Sequence, residues 1–263
     1  MELGLNGKVV AITGGTSGIG EAVAEAFAKE GAKIAVCGRS MAKIEAIEKK
    51  FKDAGYEIYT ESVDVAVNEQ LEHFAASVEK TFGQIDIWIN NAGINIHKGF
   101  EDVTENEWHG LVNTDFKSVF YGSAIAAKYM RKVGGGVIIN TSSFTSIIPT
   151  AGKALYSAVK SGINSLTRSF AAELAADGIR VVAVAPGYTV TPLTEKNIEQ
   201  QREWLVSNIG LNRLATADDM VGGYLFLASD RASYISGICL EISGAKFATQ
   251  NPRWSWNKPT IMV

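Results

Sequence analysis

A doubly wound α/β fold, with a parallel sheet between helical layers, is what the sequence of this chain predicts. Three observations carry the prediction. Short apolar runs alternate with helical patterns from Lys8 onward, the signature of a parallel sheet built from βαβ units. The first apolar run breaks into Gly14-Gly15-Thr16-Ser17-Gly18-Ile19-Gly20 just before a helix begins. Gly14, Arg39, Asp64 and Asn91 all fall where predicted strands end, the edge at which such sheets take ligands.

Lys8 to Thr13 is the first strand and Glu21 to Lys29 an amphipathic helix. Glycines between them permit a tight turn and close backbone approach, and the helix start offers free N–H groups to a pyrophosphate. Thr16, Ser17 and Ile19 share that turn, so the whole segment is a candidate dinucleotide cradle; a plain turn is the alternative. Lys33 to Cys37 forms the second strand, followed by Gly38-Arg39-Ser40. An acid near this point holds the ribose of NAD, whereas an Arg accommodates the 2′-phosphate of NADP. With an Arg and no acid, NADP is the expected cofactor and NAD the alternative, a solvated Arg39 being the bland reading.

Helical pattern from Met41 to Ala54 leads to a third strand, Glu57 to Val63, ending at Asp64-Val65. A helix from Asn68 to Phe82 precedes the strand Ile85 to Ile89, which breaks into Asn90-Asn91-Ala92-Gly93. Trp108 to Met130 reads as one long helix, and Val137 to Ser142 as a fifth strand delivering Ser143. Ile179 to Ala185 is the sixth strand, ending in Pro186-Gly187-Tyr188-Thr189-Val190-Thr191. Glu195 to Gly210 has few apolar anchors and reads as a mobile lid or external helices. Asp218 to Ala228 is a helix and Gly237 to Ile242 a seventh strand. No repeat, low-complexity segment or linker divides residues 1–263, so one domain is expected.

Candidate chemistry lies between Ser143 and Lys160. Tyr156 and Lys160 are four apart, so they share a helix face, beside the apolar stripe Leu155, Val159, Ile163, Leu166, Phe170 and Leu174. An ammonium held near a phenol favours phenolate and draws its pKa towards working pH, as an acid/base catalyst requires. Ser143, thirteen residues before Tyr156 and across a Pro-containing loop, can return its hydroxyl to the phenol.

Composition narrows the function classes. Apolar residues are 46%, charged residues 20% and the net charge is −3, so no basic field invites nucleic acid or an anionic membrane. The opening residues are too short and acidic for a signal peptide, and no apolar run spans a bilayer. Cys37 and Cys239 sit in apolar runs and read as buried free thiols of a cytoplasmic protein. No metal-ligand spacing is present, and His73, His97 and His109 are isolated.

Taken together, these residues resemble the short-chain dehydrogenase/reductase family. The match runs from about residue 5 to 245, on Thr13-Gly14-x-x-x-Gly18-x-Gly20, Asp64, Asn90-Asn91-Ala92-Gly93, Ser143, Tyr156-x-x-x-Lys160 and Pro186-Gly187, in the family's order and spacing. The resemblance implies a Rossmann-type three-layer fold with a seven-stranded parallel sheet, usually a homotetramer, interconverting a secondary alcohol and a ketone with NAD(P). It implies that Tyr156 is the general acid/base, that Lys160 lowers its pKa and holds the nicotinamide ribose, and that Ser143 binds the carbonyl oxygen. It places Ile19, Thr189 and Thr191 against the cofactor, Asp64 and Val65 beside the adenine and Asn91 near the ribose, with Ala92, Gly93, Pro186 and Gly187 alongside.

One position departs from the family pattern. Counting from Ser143 or from Trp108 to the usual helix Asn lands on Asp115. An ionised Asp accepts the same hydrogen bonds but cannot donate, and it should raise the pKa of Lys160. Asp115 reads either as a substituted relay residue or as the mark of an impaired one. Expected substrate contacts are Asn95, His97, Thr145, Lys153 and Tyr188, with Lys98 making the mouth cationic. They suggest a polyol, sugar or sugar-acid substrate; the alternatives are a 3-oxoacyl-carrier reductase and a non-catalytic nucleotide-sensing protein. Residues 246–263, longer than the family's usual ending, carry Trp254 and Trp256, which should pack rather than stand in water.

Overall fold

Strands β1 (Val9–Thr13), β2 (Lys33–Gly38), β3 (Ile58–Ser62), β4 (Ile87–Asn90), β5 (Gly136–Thr141), β6 (Ile179–Pro186) and β7 (Cys239–Ile242) form one sheet in the computed structural model of the chain. The structure describes residues 2–246, 250, 252, 253 and 256. The sheet has seven strands in the order β3-β2-β1-β4-β5-β6-β7, and every pairing is parallel. The chain winds outward from β1 to β3, then returns to place β4 on the other side of β1. Strand order thus reverses between β1 and β4, opening a crevice beyond their carboxyl ends.

Helices cover both faces: α1 (Gly18–Lys29), α2 (Met41–Asp53), α3 (Asn68–Phe82), α4 (Glu105–Leu111), α5 (Ser118–Met130), α6 (Ala154–Glu173), α7 (Glu195–Ser207) and α8 (Asp218–Ala228). Side chains alternate across a strand. In β1, Val10 and Ile12 therefore pack with Phe27 of α1, Phe51 of α2 and Tyr224 of α8. Val9 and Ala11 face the other layer with Phe74 of α3 and Met130 of α5. Burial on both sides is why these strands read as continuous apolar runs.

Several elements differ from their sequence reading. Helix α1 runs from Gly18 rather than Glu21, so the end of the glycine turn is part of its first turn. The long helix starts before Trp108, at Glu105, where Thr104 and Glu107 cap each other's backbone N–H groups. It is also not uniform: Val112–Lys117 is a π-helical stretch between α4 and α5, a local widening that periodicity does not register. Within the 195–210 segment, Glu195–Ser207 is a helix, α7, broken at Gln201, whose Ile198 and Leu205 cluster with Ile209 and Leu214.

Cys37 is buried and its thiol is pushed up to about 12, chiefly by burial. Cys239 is only part-buried, with its thiol raised to about 11 for the same reason. Trp256 keeps an exposed ring but donates its indole N–H to the Gly210 carbonyl at 2.8 Å. Trp254 lies outside the described residues. Among those residues, no helix is long and apolar enough to cross a membrane.

Candidate active site

A cleft of about 380 Å³ opens at the carboxyl ends of the strands. The glycine turn forms its floor. Gly14 (φ +64°) and Gly18 (φ +60°) hold conformations that side chains resist, and a Cβ on Gly14 would fall 2.7 Å from the Ala92 Cα. The turn delivers Thr16, Ser17, Gly18 and Ile19 to the cleft wall at the start of α1. Ser17 leaves the first N–H groups of that helix without a side-chain cap, the arrangement that binds a pyrophosphate.

Arg39, Ser40 and Lys43 stand at one end, around the start of α2, with Val63 and Val65 alongside. On the opposite wall, Pro186, Gly187, Thr189 and Thr191 follow β6. Backbone donors, apolar walls and a cationic end fit an NAD(P) dinucleotide. Asn91 locks this geometry across the switch point. Its Nδ2 donates to the carbonyls of Thr13 (3.2 Å) and Gly14 (3.0 Å), while Thr13 Oγ1 accepts the N–H groups of Asn91 and Ala92, both at 3.1 Å.

The other end of the cleft holds the reactive side chains. Ser143 Oγ accepts from the Thr145 N–H at 3.2 Å and the Thr145 hydroxyl at 3.1 Å. With its acceptor sites taken, the Ser143 proton is left to donate. Tyr156 and Lys160 lie one turn apart on α6, the ammonium 5.6 Å from the phenol ring centroid. Lys160 Nζ donates to the Thr141 carbonyl at 3.1 Å and stands 3.1 Å from Asp115 Oδ2. Asp115, wholly buried within the π-helical stretch, accepts the Ile94 N–H at 2.8 Å with its other oxygen. A Cβ on Gly93 would sit 2.7 Å from that carboxylate, so the approach requires a glycine.

Three ionisable groups here are perturbed together. Burial pushes the Asp115 carboxyl up, against the pull of Lys160 and the Ile94 N–H. Burial opposes the charge on Lys160, yet Asp115 and Tyr156 hold its ammonium above the ordinary lysine value. For Tyr156, burial raises the phenol and Asp115 adds to it, while Lys160 and Ser143 draw it down. The net direction is upward, although Lys160 draws the phenol down as the spacing suggests and Asp115 offsets that pull as expected. The pull exists, but desolvation exceeds it and Asp115 answers much of the ammonium's charge.

Asn95, Thr145, Lys153 and Tyr188 line the cleft as the sequence suggested. His97 does not: it is exposed, its ring against Gly152 outside the cleft. Lys98 is spent on a surface pair with Glu107 at 2.7 Å, so the mouth is not cationic by that route. Asp64 is not among the lining residues, though Val63 and Val65 on either side are, and its carboxylate accepts the Ala66 N–H at 3.0 Å. Gly20 packs α1 against the Gly14 carbonyl and the Asn91 amide rather than lining the cleft. Sequence reasoning missed Lys43, which spacing from Ser40 could have placed on the first turn of α2. It also missed Lys246, whose ammonium lies 4.9 Å from the Tyr188 ring centroid and has no local sequence signal.

Comparison with known proteins agrees with this architecture. A family profile described as short chain dehydrogenase matches residues 8–202. The 3-oxoacyl-[acyl-carrier-protein] reductase FabG of Thermotoga maritima is 36% identical over 240 residues, 91% of this chain and 98% of the relative. A 3alpha-hydroxysteroid dehydrogenase of Mediterraneibacter gnavus is 38% identical over 245 residues, 92% and 97% of the two chains. Among solved structures, one from Beutenbergia cavernae superimposes with a TM-score of 0.88 at 32% identity, covering 93% of this chain and 98% of the other. That protein carries the provisional name NAD(P)-dependent gluconate 5-dehydrogenase and holds NADP at low occupancy.

The buried Lys160–Asp115 pair makes a stability prediction. Asp115→Leu strands the ammonium without its counter-charge and should cost about 3–5 kcal/mol, read from urea unfolding. Asp115→Asn, which can still accept the Ile94 N–H, should cost less.

Proposed function

Since the chain belongs to the short-chain dehydrogenase family and is therefore an NAD(P)-dependent oxidoreductase, we propose that it interconverts a secondary alcohol and a ketone on a polyol, sugar or sugar-acid substrate, with NADP as cofactor. The observation that carries this is the convergence of Ser143, Tyr156 and Lys160 on the cleft that the glycine turn opens. When bound, the nicotinamide supplies or takes up the hydride. In reduction, the Tyr156 hydroxyl gives its proton to the carbonyl oxygen as negative charge grows there. Ser143, whose acceptor sites are taken, can turn its proton from the phenol to that oxygen and stabilise the charge. Lys160, fixed by the Thr141 carbonyl and Asp115, sets the field around the phenol. In oxidation the phenolate removes the alcohol proton.

Arg39, Ser40 and Lys43 support NADP, since a guanidinium grips a 2′-phosphate bidentately. Asn95, Thr145 and Tyr188 supply hydrogen-bonding groups suited to a hydroxylated substrate. A cytoplasmic homotetramer is the accompanying reading. It is supported by the exposed aromatic rings of Phe120 and Tyr121 on α5 and of Phe226 on α8, which association would cover.

A second reading, 3-oxoacyl-carrier reductase, has specific support: the Thermotoga maritima relative carries that name, and exposed Ile147, Ile148 and Leu193 offer an acyl chain an apolar rim. The nucleotide-sensing alternative falls with the family assignment. NADPH oxidation against a panel of ketoses, oxo-acids and oxoacyl thioesters separates the two readings. Turnover confined to thioesters would overturn the polyol and sugar reading.

Three variants test the parts. Tyr156→Phe should lower turnover by roughly 10²- to 10⁴-fold. Arg39→Ala should weaken NADPH by about 10- to 100-fold and leave NADH nearly unchanged, as read from the two Michaelis constants. Asp115→Asn removes a charge that raises the phenol's pKa. The rate of alcohol oxidation, which needs phenolate and climbs as pH rises through that pKa, should therefore climb at a lower pH in the variant than in the parent. An unchanged pH–rate profile would remove Asp115 from the mechanism.

A further inference from the structure

Charge along the cleft wall does not balance. The charged side chains of the lining are Arg39, Lys43, Lys153, Lys160 and Asp115. Arg39 and Lys43 stand where a cofactor phosphate would neutralise them, and Asp115 already answers Lys160 at 3.1 Å. Lys153 is left over. It is 9% exposed, and among the described residues its ammonium forms no ion pair or hydrogen bond, with only the Tyr156 ring nearby, 5.9 Å from centroid to Nζ. Its stem is buried and its ammonium opens onto the cleft without a counter-charge, so desolvation alone holds its pKa below the ordinary lysine value.

Its position on the helix sharpens the imbalance. Lys153 is the N-cap residue immediately before α6, a 20-residue helix with no acid in its first turn. A helix start carries partial positive charge and favours anions. Lysine is the wrong sign there unless something negative comes to meet both.

A second unsatisfied group stands on the neighbouring loop. Asn95 Oδ1 is buried without a hydrogen-bond partner, and Asn95 lines the same cleft. The Lys98 N–H donates to the Gly152 carbonyl at 2.8 Å, tying the loop that carries Asn95 to the residue before Lys153. A carboxamide both donates and accepts, which matches a hydroxyl group.

We propose that Lys153, at the start of α6, is the specificity-determining residue that binds a substrate carboxylate beside Tyr156, with Asn95 taking a neighbouring hydroxyl, so that the enzyme selects hydroxy-acids over the matching neutral polyols. The inference rests on the redox reading above and narrows its substrate class. A carboxylate there supplies the missing negative charge, accepts from the ammonium and satisfies the helix start at once.

The test uses the holoenzyme with NADP and matched pairs of one carbon skeleton: glycerate with glycerol, threonate with threitol, gluconate with sorbitol. At least one acid should show a Michaelis constant about 10- to 100-fold below its neutral partner, the span expected of a charge-assisted contact. Lys153→Met should erase that gap by raising the constant for the acid alone, and Lys153→Arg should keep most of it. Equal constants for every pair, or equal losses for acid and polyol in Lys153→Met, would overturn the proposal. Calorimetric titration of the NADP-bound protein with the same acids reads carboxylate affinity without turnover. Lys153-dependent binding without turnover of any panel alcohol or ketone would therefore sink the redox reading and leave the anion site standing. Turnover with no acid preference would do the reverse.

Discussion

The contact between Lys160 and Asp115 is the constraint on which the reactive end of this molecule depends. An ammonium and a carboxylate, both out of water, stand 3.1 Å apart, and neither would be tolerable alone. Each is pinned by backbone: Lys160 by the Thr141 carbonyl at the end of β5, Asp115 by the Ile94 N–H in the loop after β4. The pair thus links adjacent strands to α6 and to the π-helical turn before α5. It also tunes the phenol. A neutral side chain at 115 would leave the ammonium's field undivided, whereas the carboxylate shares it and holds Tyr156 less acidic.

The rest of the cleft follows from sheet topology. Reversal of strand order between β1 and β4 separates the glycine turn from the loop after β4, and Asn91 bridges them through two carbonyls of the first strand and its turn. That bridge explains why a residue at a ligand-binding edge spends its amide on protein rather than on a bound molecule. Ser143, Tyr156 and Lys160, the side chains proposed to do the chemistry, arrive from the next strand outward, β5, and from the helix that follows it. Nucleotide-binding and reactive ends are therefore set by consecutive strands of one rigid sheet.

Most of this was legible in the sequence because it rests on local pattern. Apolar runs, glycines needing positive φ and the four-residue spacing of Tyr156 and Lys160 are physical requirements written in short stretches. What escaped depends on distant parts meeting. The π-helical stretch at Val112–Lys117 has the same apolar rhythm as a regular helix, so only its register betrays it. His97 and Asp64 have suitable chemistry at suitable positions, yet the His97 ring lies against Gly152 and the Asp64 carboxylate is taken up by the Ala66 N–H. The balance at Tyr156 escapes for a related reason: spacing reveals the neighbouring ammonium but not how much water is removed from the phenol.

Both sulfhydryls in the chain are quiet. Cys37, sealed beneath the glycine turn with its thiol at about 12, and Cys239, at about 11, are almost entirely protonated at neutral pH, and the thiolate is the form that reacts. Alkylating probes should pass the native chain by. A single cysteine introduced on an exposed surface would then be the one handle for a fluorophore or a cross-linker, so subunit association or movement of α7 could be followed without first stripping out the natural residues.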